Sequence, residues 1–454
     1  MASTPFPWGT EVLTAEVTGD VLQCTSQSGA QRHIDLSNIV GIFPVADSSP
    51  EYSVLFIVKP DGQTGDSIAA VGHLVKTNIS ALPPSLTHLL VEIPEYLQHS
   101  EPVQVVVSVQ AGTCQAKAAF QDLVKPLLSQ MSVNYEVHET KSADTIKELC
   151  ESRFLDRARA GIPQTILLLS GDGGIVNIVD YFYQNAQSVQ TPPHLALIPC
   201  GTGNALASSI GSRDGPSSGL KSLVRGTPTP LPVCITKLSP GSQMIIDEGR
   251  QKIPLGDPNA SHQTLYGAVV VSWGIHAALV ADSDTSEYRK FGNERFKIAG
   301  LRLLHPPDGS APHVFRGKIT YSTKDDRTGE ISEKTTENDE HMYLLASLVP
   351  RLEHNFLISP SSEPLDGSMW FMRWGPMSGD EATHLAFLAY KGGLHVKEKA
   401  VTYAKFEKLR IEFREDLEHW RRICIDGTII AVDKGGWLEI TREPRQLLNV
   451  IKPH

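Results

Sequence analysis

Two short segments combine glycines, a carboxylate and hydroxyls in the way that phosphate binding requires. The first is Leu167-Leu168-Leu169-Ser170-Gly171-Asp172-Gly173-Gly174. An apolar run leads straight into three glycines around one acid. Glycines there let the backbone approach a phosphate closely, and Asp172 would sit at the mouth of that site. The second is Leu197-Ile198-Pro199-Cys200-Gly201-Thr202-Gly203-Asn204-Ala205-Leu206. It repeats the design, with Asn204 near the start of a helix whose N–H groups suit an anion. Alone, each segment reads equally well as an ordinary Gly-rich strand-to-helix turn. Together, about one βα unit apart, they point to a common site at the carboxyl ends of parallel strands.

The surrounding pattern supplies those strands. Val103–Val109, Ser132–His138, Thr165–Leu169 and Leu195–Pro199 are predicted strands. They alternate with predicted helices over Lys117–Met131, Ala143–Arg159, Ile175–Asn185 and Asn204–Gly211. That alternation implies a parallel sheet with covered faces. Residues 1–98 carry short β-type runs (Glu11–Val17, Val21–Thr25, Asn38–Val45 and Tyr52–Val58) broken by Gly, Pro, Ser and Asp. His99-Ser100-Glu101-Pro102 reads as a boundary. Strand texture returns after Pro232. It includes Leu265–Ser272 as one strand, with predicted helices over Ser286–Leu304 and Glu381–Ala389 and an exposed loop over Thr323–Asp339. The expected domains are 1–98, 103–233 and 234–454.

SGDGG followed by PCGTGNALA resembles the diacylglycerol kinase catalytic-domain superfamily, on the side of the sphingosine (long-chain base) and ceramide kinases. A third segment adds to the likeness: Val271-Ser272-Trp273-Gly274, then Asp282 and Tyr288-Arg289-Lys290-Phe291-Gly292-Asn293-Glu294-Arg295-Phe296. So do Asp366-Gly367, Gly393-Leu394-His395 and Ile425-Asp426-Gly427. The likeness runs from about Val103 to the C-terminus. It implies a fold of class α/β plus β: a Rossmann-like nucleotide-binding domain, then a mostly β sandwich that binds lipid, with the site in a cleft. The β-rich N-terminal extension is similar to the pleckstrin-like extensions of some lipid kinases.

The implied activity moves the γ-phosphate of ATP onto a lipid hydroxyl, with ATP and Mg²⁺ as cofactors. By position, the resemblance makes Asp172 the general base. It puts Gly112, Thr113, Thr140, Ser170, Gly171, Gly173, Gly201, Thr202, Gly203, Asn204, Arg289, Arg295 and Asp426 at the nucleotide, with Asp426 also a metal ligand. It puts Asp282 at the substrate head group, where a carboxylate suits a cationic amine and favours a sphingoid long-chain base. Ceramide, diacylglycerol and a catalytically impaired lipid- or nucleotide-binding relative are the alternatives. Read without the resemblance, Arg289 and Arg295 fit a solvated helix face, Asp426-Gly427 a hairpin turn, and Asp282 a helix cap. The chain also departs from the family pattern. Ser108-Val109-Gln110-Ala111-Gly112-Thr113-Cys114 replaces the Gly-rich phosphate loop, Asn177 replaces a Glu, and Thr428 follows Asp426-Gly427 where a Glu is usual.

Composition bounds the partners. The chain has 454 residues and a formal net charge of −10, which argues against a nucleic-acid partner. No apolar run is long enough to span a bilayer, and Met1–Trp8 lacks the basic start and apolar core of a signal peptide. The six cysteines form no CxxC pair. These features predict a cytoplasmic protein with reduced thiols, peripherally associated with the membrane surface that holds its lipid substrate.

Overall fold

The computed structural model describes residues 11–45, 50–58, 72–112, 114–213, 217–257, 259–291 and 294–453. The chain forms two units, one of residues 1–174, 189–229 and 448–454, the other of residues 175–188 and 230–447.

The first unit contains two six-stranded sheets. One uses β1 (Val12–Thr18), β2 (Val21–Thr25), β3 (Gln31–Asp35), β4 (Ile39–Pro44), β5 (Tyr52–Val58) and β6 (His73–Ile79). They are arranged β3-β2-β1-β6-β5-β4, and the β1–β6 pair is parallel. β3 and β6 carry enough polar residues to hide their period in the sequence. One set of side chains, including Leu13, Leu22, Ile42 and Phe56, forms a core of its own. Another set, Val40, Phe43, Leu55 and Ile57, enters the core built on Val105, Leu167 and Ile198. Tyr96 is buried there as well, and its hydroxyl donates to the Leu223 carbonyl at 2.9 Å.

The second sheet contains β7 (Val103–Val107), β8 (Tyr135–Glu139), β9 (Thr165–Ser170) and β10 (His194–Pro199). The order β10-β9-β7-β8 is parallel throughout, as the strand–helix alternation predicts. The chain's last strand, Asn449–Lys452, pairs in parallel beyond β10. Gln104 lies in the fully buried β7, yet its amide donates to Pro102 at 2.8 Å and accepts from Arg153 at 3.0 Å. A buried polar group is thereby satisfied. The helix predicted over Lys117–Met131 is present but contains a π-turn at Phe120–Val124. Pro126 follows directly. Its ring crowds the preceding turn and it lacks an N–H, and the wider turn relieves both problems.

The second unit is mostly antiparallel β. One sheet runs Gln263–Gly267, Cys234–Leu238, Trp437–Arg442, Lys408–Phe413, Phe315–Lys324 and Ile331–Thr335. The other includes Thr428–Ala431, Arg422–Ile425, Val270–Gly274, Tyr343–Ser347 and Met369–Trp374 in that order. Trp273 of the second sheet packs edge-to-face on Phe315 and Phe413 of the first. An aromatic of this size dominates the burial at such a junction.

Three expectations change here. The strand predicted over Leu265–Ser272 is two strands, Gln263–Gly267 and Val270–Gly274, one in each sheet. Most of residues 323–339 are exposed, but Ile331–Thr335 forms a strand against Phe315–Lys324. A helix over Ile275–Ser283 was not foreseen. Its sequence is apolar on nearly every side, so it shows no helical stripe.

Candidate functional site

The loops that follow β7, β9 and β10 meet at the carboxyl ends of their strands. Their glycines are set by crowding. A Cβ on Gly171 would lie 3.0 Å from the Gly201 Cα, and one on Gly112 would strike the Cys200 carbonyl. Gly112 also sits at φ +52°, a region that side chains strain. Gly173 differs, because it is exposed and nothing lies within 4 Å of a Cβ placed on it. Asn204, buried and left-handed at φ +55°, closes the second turn. Its side chain accepts from Gly201 N at 3.0 Å and donates to the Gly201 carbonyl at 2.7 Å.

Asp172 opens the helix Asp172–Asn185. Its Oδ2 accepts from Ala205 N at 2.8 Å and its Oδ1 from Leu206 N at 3.2 Å. The N–H groups at the start of the Ala205–Ser209 helix, expected to be open to an anion, are therefore directed at this carboxylate. Burial raises the Asp172 carboxyl above the ordinary range, opposed by the N–H groups of Ala205, Leu206 and Asn204 and by the charge of Arg213. Arg213 also donates to the Gly203 carbonyl at 2.9 Å. Sequence reasoning missed it, since an arginine in a Gly-Ser-rich turn has no pattern to single it out.

The remaining expected residues of this unit support the loops. Thr140 Oγ1 accepts from Val109 N at 3.2 Å and holds the turn after β7. Ser170 donates to the Gly171 carbonyl at 2.6 Å. Thr202 is exposed and Gly203 half-buried. Thr113 lies outside the described residues. Cys200 is buried and its thiol is pushed up to about 12, so it stays neutral.

The second unit holds the other expected residues. Asp426 accepts from Ala268 N at 2.6 Å, Val269 N at 3.1 Å and Val270 N at 2.6 Å. Its carboxylate thus ties down the break between the strands Gln263–Gly267 and Val270–Gly274. Three inward N–H dipoles make a poor environment for a cation. Among the described residues, no group of three or more His, Cys, Asp or Glu side chains gathers as a metal site. Asp426 therefore does not fit a Mg²⁺ ligand. Arg289 pairs with Asp284 at 2.8 Å, and Arg295 approaches the same carboxylate at 3.6 Å. Asp282 lies in the last turn of the helix Ile275–Ser283, where its carboxylate accepts from Arg422 at 2.7 Å. It makes no side-chain cap. A cavity of about 10 Å³ between the sheets, lined by Val270, Leu348, Met369 and Phe406, holds at most one water.

Residues 102–235 match the diacylglycerol kinase catalytic domain. This segment carries both Gly-rich turns and Asp172. Human sphingosine kinase 1 is 25% identical over 260 residues, which is 55% of this chain and 60% of that protein. Sphingosine kinase 1 of Arabidopsis thaliana is 25% identical over 207 residues, 44% of this chain and 36% of that one. The chain spans between about a third and 60% of the length of these two relatives. A crystal structure of a diacylglycerol kinase from Bacillus anthracis str. Sterne is similar with a TM-score of 0.47 at 15% identity, covering 78% of this chain and 97% of that one. Among the described residues, no helix is long and apolar enough to cross a membrane.

Proposed function

We propose that the protein is a lipid kinase in which Asp172 is the general base. The observation that carries this reading is the Asp172 carboxylate, held rigid by two backbone N–H groups beside the open Gly173 within the segment matching the diacylglycerol kinase catalytic domain. ATP, when bound, supplies the γ-phosphoryl group. The chain's own part is to fix the nucleotide and to remove a proton. A lipid hydroxyl is a poor nucleophile, and Asp172 would take its proton as the hydroxyl oxygen bonds to the γ-phosphorus and the bond to ADP breaks, with ADP leaving. A carboxylate has about four lone-pair positions, so Asp172 can accept from the backbone and still receive that hydroxyl. A carboxyl raised by burial is the stronger base for the task.

In this reading Gly173, Thr202 and Gly203 border the phosphates, while Gly112, Gly171, Gly201, Asn204, Ser170 and Thr140 shape the loops. Arg289 and Arg295 belong to the nucleotide side only if they release Asp284. Asp282 faces the acceptor head group. Sphingoid bases, ceramide and diacylglycerol are the acceptors that the reading admits, presented at a membrane surface. Incubation with labelled ATP, Mg²⁺ and each lipid in mixed micelles tests it. Labelled lipid phosphate from at least one acceptor is expected. Unaltered nucleotide binding with no transfer to any of the three would instead mark a binding relative without activity.

A further inference from the structure

We propose that Arg213 is a positioning residue for Asp172, acting on that carboxylate through the peptide between Gly203 and Asn204. Its catalytic consequence rests on the reading of Asp172 as the base. The carbonyl of this peptide, on Gly203, accepts from Arg213 Nη1 at 2.9 Å. Its N–H, on Asn204, is one of the three backbone donors that act on Asp172. A trans peptide is planar, with its N–H and C=O pointing in opposite directions. A donor that fixes the carbonyl therefore also aims the N–H. Hydrogen bonds in series polarise one another, and a charged donor makes the stronger bond. The guanidinium thus tightens the grip of the turn on the acid from one peptide away.

Local sequence returns Arg213 to the start of the helix that it follows. The helix Ala205–Ser209 has only five residues. Gly211, at φ +82°, lets the chain reverse, and Ser212 N donates to the Ala207 carbonyl at 2.9 Å. Ser212 is buried, with its hydroxyl 3.2 Å from that of Ser222. The next side chain is delivered to Gly203, 10 positions upstream. This placement does little for Arg213 itself. Its Nε is buried and has no acceptor among the described residues, and a buried donor left unsatisfied costs free energy. The gain lies at Asp172. Burial raises this carboxyl, while the N–H groups of Ala205 and Leu206, the charge of Arg213 and the N–H of Asn204 oppose burial. Three of these opponents are dipoles of one turn, and the fourth holds that turn in place.

Lysine can donate to the Gly203 carbonyl and keeps the charge; glutamine can donate and carries none. A purely structural bond is served by either. The test therefore compares Arg213→Lys with Arg213→Gln in the full chain. The first readout needs no activity. With isotope-labelled aspartate carboxyls, the magnetic resonance signal lost in Asp172→Asn reports the ionisation of Asp172. Its midpoint should move to higher pH in Arg213→Gln and stay near wild type in Arg213→Lys. The second readout is kcat/KM for lipid phosphorylation against pH. Arg213→Gln should lose about tenfold or more at neutral pH, since a misplaced group can cost about a hundredfold. Its acid limb should also move upward, and Arg213→Lys should recover most of the loss. Both variants should melt within a few degrees of each other, because both keep a donor for Gly203. An unchanged midpoint in Arg213→Gln, or equal midpoints in the two variants, overturns the inference whatever the activity. Transfer to no lipid by wild type overturns the kinase reading alone, and the Asp172 signal still decides the role of Arg213.

Discussion

Asp172 and Asp426 look alike in sequence and behave differently in structure. Each follows an apolar strand and precedes a glycine, and each carboxylate is held by backbone N–H groups from a distant loop. Asp426 accepts from three consecutive donors and is 8% exposed. Its acceptor capacity goes into one break between two sheets. Asp172 accepts from Ala205 and Leu206 and sits beside a glycine with open space around it. It keeps capacity for a ligand. An Asp-Gly pair after a strand therefore identifies a turn, and the open space beside the acid decides whether the turn can also do chemistry.

The largest effect should come from removing the base. Asp172→Asn keeps the shape but cannot take the hydroxyl proton. Lipid phosphorylation should fall by about two to four orders of magnitude, with melting within a few degrees of wild type. Near-normal turnover would show that the base lies elsewhere. Removing the other carboxylate should leave the chemistry and damage the fold. Asp426→Ala strands three N–H groups, at roughly 1–3 kcal/mol for each one left unsatisfied. Urea unfolding should show a loss on the order of 3 kcal/mol or more. If Asp426→Ala instead keeps its stability and loses activity, the two acids have been assigned the wrong way round.

A third consequence concerns pH. Burial raises the Asp172 carboxyl, so the folded state binds its proton more tightly than the unfolded chain does. This group favours folding least above its raised value and costs nothing below the ordinary carboxylate range. Activity needs the ionised form. The acid limb of kcat/KM should accordingly lie above the ordinary carboxylate value and vanish into the residual rate in Asp172→Asn. A limb at or below that ordinary value would mean that the donors outweigh burial.

Much of this was legible beforehand. β7, β9 and β10 were located to within a few residues because their runs are apolar and almost wholly buried, and both Gly-rich turns announced themselves. What sequence could not show was which donors meet which acids. Asp282 and Arg422 lie 140 positions apart, and no local pattern links them. The Leu265–Ser272 break was hidden for the same reason, since the acid that stabilises it comes from residue 426. β3 and β6 were missed because their exposed polar residues dilute the two-residue period.

The smallest effect separates stability from catalysis on the acid side. His341 is buried, and its Nε2 lies 2.8 Å from the Gly317 carbonyl while its Nδ1 accepts from Arg373 at 2.8 Å. That arrangement requires the neutral ring with its proton on Nε2, because a second proton would point at the Arg373 N–H. Burial is the main cause that lowers this histidine to about 4, helped by Arg373 and opposed by Gly317 and Asp339. His276, also at about 4 through burial, acts in the same direction. The unfolded chain binds these protons first, so the contribution is complete above about 6.5 and is lost as pH falls toward 4. An acid limb in activity could therefore be unfolding mistaken for protonation of Asp172. His341→Gln distinguishes the two, since an amide can accept from Arg373 and donate to Gly317 without titrating. It should flatten the melting temperature between pH 6.5 and 4 by a few degrees and leave the kcat/KM limb in place. A limb that moves with the melting curve would take the pH evidence away from Asp172.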